Sequence, residues 1–66
     1  MNILEQHYQK HGNNFVATDQ IEVKTEEDSV LIMTLEDMAA SGKSRGDFYC
    51  QKKGNYFKLT KKIENN

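Results

Sequence analysis

Apolar residues at helical spacing that stop at Gly42, followed by two alternating runs that meet at Gly54, leave this chain few ways to fold. At about 100° per residue, Val30, Leu31, Thr34, Leu35 and Met38 fall within one arc of a helix, the face expected to be buried, with Ala39 beside it. Glu26, Glu27 and Asp28 fill the first turn, where acid suits the positive end of the helix dipole. Thr25 with Asp28 three residues on approximates a capping box, and Ser41-Gly42-Lys43 ends the helix. Beyond it, a two-residue turn at Gly54 with either Lys53 or Asn55 places Phe48, Cys50, Phe57 and Leu59 on one hairpin face. Tyr49, Gln51, Lys53, Tyr56, Lys58 and Thr60 take the other face. The first set is expected to pack on the helices and the second to meet solvent.

The preceding residues must complete the core. Residues 2–12 read as a first helix, with Ile3, Leu4, His7, Tyr8 and His11 in one stripe and Gly12-Asn13-Asn14 as its stop. Phe15 and Val16 form a short extended piece, apolar enough to tuck against the core. Thr18 is the expected N-cap of a short turn over Asp19–Val23. A strand over Gln20–Lys24 fits the alternation of Ile21 and Val23 almost as well. Glu64-Asn65-Asn66 is expected to fray. No repeat or linker divides the chain, so residues 1–66 are expected to form one domain. A domain of this size buries only about 60% of the surface its unfolded chain exposes, so dimerisation or a partner would add stability. With 36% hydrophobic and 29% charged residues the chain reads as globular. No apolar run approaches the roughly 18 residues that cross a bilayer, and the N-terminus resembles no signal peptide. The single cysteine, Cys50, points to a reducing, cytoplasmic setting.

The net charge of −1 hides an asymmetry. Residues 1–42 carry eight acidic and two basic residues, a balance of −6, whereas residues 43–66 carry seven basic and two acidic, a balance of +5. Such a split suggests a surface that accepts polyanions beside an acidic one, or two halves that attract each other across a small domain.

The order of these elements resembles the winged helix-turn-helix superfamily. Ile3–Gly12 matches its first helix, and Phe15-Val-Ala-Thr-Asp-Gln-Ile matches its strand and the opening of its second helix. Thr25–Gly42 stands where the recognition helix would. Phe48–Thr60 corresponds to the wing, with Tyr56-Phe57-Lys58-Leu59-Thr60 a common form of its last strand. The resemblance covers about residues 3–62. It implies an α+β fold with helices followed by a C-terminal two-stranded antiparallel hairpin, and a role in transcription. Only about six residues lie between Thr18 and Thr25, with no glycine to mark a turn, so the second helix is short of what the superfamily carries.

The side chains shift the expected chemistry away from the recognition helix. Opposite its buried arc lie Ser29, Ile32, Met33, Glu36 and Ala40, with Glu26 and Asp37 at the margins. A helix that reads the major groove needs Arg, Lys, Asn or Gln aimed at base edges. This face has none, and its acid would repel a duplex. Ile32 and Met33 either meet a protein partner or pack under the wing or a dimer mate. The hairpin is the opposite case. Tyr49, Lys53, Tyr56 and Lys58 share a face, with Lys43, Arg45, Lys61 and Lys62 close in sequence. Basic residues interleaved with aromatics suit a phosphate backbone, and the rings could stack on an unpaired base. Exposed lysines also blunt the pairing of sheet edges without any ligand.

No constellation for catalysis emerges. His7 and His11 have a metal-compatible spacing, but no carboxylate or cysteine pattern completes a site, and core or rim histidines fit their stripe better. Glu36 and Asp37 are adjacent and diverge on a helix. Cys50 falls on the inward face of its strand, as a small hydrophobe. Gly42-Lys43-Ser44 follows a helix instead of preceding one, unlike a phosphate loop. No enzyme, cofactor, metal or small-molecule substrate is expected. The expected function is a small winged-helix regulator that contacts DNA backbone through Lys43, Arg45, Tyr49, Lys53, Tyr56, Lys58 and Lys61. The alternative is an interaction module of the phage or plasmid inhibitor type, using Ser29, Ile32, Met33, Glu36, Asp37 and Ala40 without DNA.

Overall fold

The computed structural model describes residues 2–62; the expected fraying at residues 63–66 lies outside them. The elements run α1 (Ile3–His11), β1 (Phe15–Ala17), a 3-10 turn (Thr18–Gln20), α2 (Glu26–Ser41), β2 (Phe48–Lys53) and β3 (Tyr56–Lys61). The fold is α+β, with both helices laid on one face of a three-stranded antiparallel sheet.

Each boundary has a local cause. Asn2 caps α1 by accepting from the Leu4 amide at 2.8 Å. At α2, Thr25 Oγ1 accepts from the Asp28 amide and Asp28 Oδ2 accepts from the Thr25 amide, so the expected capping box forms. Gly42 closes the helix in the left-handed conformation, at φ 70°, and its amide donates to the Met38 carbonyl. The hairpin turns at Gly54-Asn55, with Lys53 opposite Tyr56. Gly54 takes φ 62° while, among the described residues, no non-glycine residue has a positive φ, the sense of a type II′ turn.

Three expectations need correction. The sheet is not a two-stranded hairpin. Phe15–Ala17 pairs with β3 in the register Phe15↔Lys58, Val16↔Phe57 and Ala17↔Tyr56, giving the strand order β1-β3-β2. The segment after Thr18 is the short turn and not the strand, but its bounds shift: a single 3-10 turn spans Thr18–Gln20, and Ile21 returns to extended backbone. Thr18 is also not the cap: Ala17 holds that position, and the Gln20 side chain accepts from its amide at 2.9 Å.

The core lies between helices and sheet. Leu4, Val16, Ile21, Leu31, Leu35, Met38, Phe48, Cys50, Phe57 and Leu59 form one buried cluster, with Ile3, Tyr8, Ile32 and Ala39 packed at its border. The inward set expected for the hairpin, Phe48, Cys50, Phe57 and Leu59, is all buried. Leu35 is fully enclosed and Phe57 nearly so, each worth about 1.5–3 kcal/mol in area removed from water.

Candidate nucleic-acid interface

Register sorts the hairpin side chains more finely than composition could. Residues directly opposite one another share a face, so Tyr49 with Thr60, Gln51 with Lys58, and Lys53 with Tyr56 stand on the outer surface. On the same side β1 contributes Phe15 beside Lys58, while Ala17, beside Tyr56, is buried. The helices cover only the other side, leaving Tyr49, Tyr56 and Phe15 exposed. Lys58 Nζ stands 5.5 Å from the Phe15 ring centroid. No carboxylate occupies an outer-face position of the three strands.

The expected basic set is therefore split. Lys53 lies at the turn and Lys58 in the middle of the outer face. Lys61 belongs to the inner face, opposite Phe48, with Nζ 5.8 Å from that ring and 3.6 Å from the Glu5 carboxylate. Lys52, opposite Phe57, likewise lays its ammonium 5.5 Å from a core ring. Both lysines cover apolar surface with their stems while keeping the charge in water. Lys43 and Arg45 sit on the link into β2, which folds through a tight Arg45–Phe48 bridge with Gly46 at φ 58°. Lys62 closes that corner by donating to Ser44 Oγ at 2.9 Å. The link and Lys53 thus stand at opposite ends of a six-residue strand. That is about 17 Å, the length of roughly five stacked nucleotides.

The helix face is also rearranged. Val30, assigned to the buried arc, is 51% exposed, because Leu31, Leu35 and Met38 centre the contact and leave Val30 at its margin. Ile32, assigned to the outer face, is half-buried against the core on the opposite margin. Met33 is 68% exposed, with Ser29, Glu36, Asp37 and Ala40 also exposed around it. From Glu26 to Ser41 the helix carries five carboxylates and no Lys or Arg.

Phe15 is a further departure from expectation. It was expected to tuck inward with Val16, but neighbours on a strand point to opposite faces, so burying Val16 turns Phe15 out. Strict alternation across this short piece would have revealed it.

No protein-family model, curated protein or solved structure matches this chain.

Two remaining groups are accounted for by packing. An open cleft of about 310 Å³ lies between α1 and the Ile21–Leu31 segment, bordered by His7, Lys10, His11, Lys24, Glu27 and Asp28. His7 is buried there, and desolvation, followed by the charges of His11 and Lys10, lowers its pKa to about 4. His11 is lowered as well, mainly by burial. Among the described residues, no group of three or more His, Cys, Asp or Glu is placed to hold a metal. Cys50 is buried, which pushes its thiol pKa up and away from nucleophilic use. No helix among the described residues is long and apolar enough to cross a membrane.

Proposed function

We propose that the chain is a small regulatory protein of winged-helix type that acts in transcription and grips nucleic-acid backbone through its hairpin, not through its long helix. The order helix–strand–turn–helix–hairpin, with the first strand joining the hairpin as a third, supports the architectural half of this reading. The functional half rests on charge segregation. The outer hairpin face and the link into it present Lys43, Arg45, Lys53 and Lys58, while α2, in the recognition position, presents five carboxylates and no cation. Phosphate contacts fix position but read no sequence, so this surface would bind with strong salt dependence and little base preference.

A salt titration of duplex DNA binding tests the reading. Replacing Lys53 and Lys58 together by Ala should weaken binding and reduce the slope of log K against log salt by about two. Absence of measurable binding at low salt would remove the nucleic-acid component.

One observation favours a second reading, an interaction module that never touches nucleic acid. Met33 and Val30 stay exposed on α2 beside Glu26, Glu36 and Asp37, a pairing of apolar and acidic groups suited to a basic protein surface. Reversing Glu36 and Asp37 to Lys should abolish partner capture from native extract under this reading and leave it unchanged under the first.

A further inference from the structure

We propose that the open face of the sheet is a stacking platform for unpaired bases, so that the ligand gripped by the hairpin is single-stranded nucleic acid. This rests on the reading of the hairpin as a nucleic-acid surface and narrows its substrate class. The chain has six Phe and Tyr residues, and the fold divides them evenly. Tyr8, Phe48 and Phe57 serve the core, whereas Phe15, Tyr49 and Tyr56 stand on the outer face at 44%, 36% and 50% exposure. A solvated strand face ordinarily carries polar side chains, and Phe15 has no hydroxyl to justify its place in water. Phe15 and Tyr56 are diagonal neighbours across β1 and β3, about 7–8 Å apart, within reach of successive bases on one extended strand. Tyr49 lies further along, opposite Thr60, in the direction of Lys43 and Arg45.

Cations alternate with these rings. Lys58 stands between Phe15 and Gln51 in one cross-strand row, and Lys53 stands beside Tyr56 in the next. A backbone passing over the rings would meet both ammonium groups, and the Gln51 amide could donate to or accept from a base edge. A duplex cannot use the rings, because its bases are already stacked within the helix; it would engage only the lysines. The two ligand classes therefore depend on different side chains, and that separates this inference from the broader one.

The test compares single-stranded DNA, single-stranded RNA, an abasic strand and duplex DNA, each about 12 units long and of mixed sequence, by fluorescence anisotropy. Phe15→Leu, Tyr56→Leu and the Lys53→Ala/Lys58→Ala pair are measured alongside, with circular dichroism to show that each is folded. The expected result is single strands bound at least about tenfold tighter than either the duplex or the abasic strand. Each ring replacement should cost about tenfold on single strands and leave duplex affinity unchanged. The DNA and RNA arms identify which strand is preferred. Equal or tighter duplex binding, indifferent to Phe15→Leu and Tyr56→Leu, overturns the stacking platform and leaves backbone binding standing. No binding to any strand at low salt overturns both. Dimerisation of the free protein that Phe15→Leu and Tyr56→Leu abolish would assign the face to a second copy and also overturn the proposal.

Discussion

Lys58 on β3 reaches toward the outermost strand so that its Nζ lies 5.5 Å from the centre of the Phe15 ring on β1. The contact ties the three-residue β1 to the hairpin through side chains as well as through its ladder. An exposed cation over an aromatic ring is worth about 0.5–1 kcal/mol. A double-mutant cycle of Phe15→Leu and Lys58→Met in urea unfolding should return a coupling of that size. Zero coupling would show that the two side chains are neighbours without attraction.

The start of α2 is held by reciprocal bonds. Asp28 Oδ2 accepts from the amides of Lys24 and Thr25 at 2.9 and 3.0 Å, and Thr25 Oγ1 accepts from the Asp28 amide. The two backbone donors, Lys24 first, hold the Asp28 carboxyl below its usual pKa. Thr25→Ala should lower unfolding stability by about 1 kcal/mol, and Thr25→Ser should restore most of it. If Thr25→Ala left the urea midpoint in place, the cap would contribute nothing.

This cap is legible in the sequence, as are the Gly42 stop and the inward set of the hairpin, because each depends on residues close in sequence. What escaped depended on contacts across the chain. Phe15–Ala17, expected to be extended, joins the sheet as a third strand only because Val16 finds Phe57, a partner 41 positions away that no local pattern specifies. Val30 and Ile32 exchanged exposure because the helix turns about its axis by the amount that lets Leu31, Leu35 and Met38 meet the sheet. Charge was legible as a total but not as a surface. Lys61 belongs with Glu5 and Phe48, and only register separates it from Lys53 and Lys58.

The hairpin turn offers a test of backbone cost with little confusion from packing. Gly54 sits at φ 62°, and a Cβ built there would meet nothing within 4 Å. Gly54→Ala should therefore cost about 1–2 kcal/mol through conformation alone. Gly54→Asn should cost less, since Asn tolerates positive φ more readily. Equal losses for the two variants in thermal unfolding would mean that the strain lies elsewhere.

The last prediction concerns pH. His7 is 6% exposed, and its pKa falls from 6.5 to about 4 through desolvation, then through the charges of His11 and Lys10. The unfolded chain takes up a proton near pH 6.5, but the folded chain resists until about pH 4. Within that window the unfolded state binds more protons, so stability falls as pH falls; above it His7 has no effect. The loss should be on the order of 2–3 kcal/mol between pH 7 and pH 4. His11, its pKa also lowered by burial, adds its own slope, so the informative quantity is a difference between proteins. His7→Leu keeps the site apolar and removes the proton, and its stability should decline less steeply over the same range. Parallel urea midpoints for the two proteins from pH 7 to pH 4 would show that the imidazole reaches water and titrates normally.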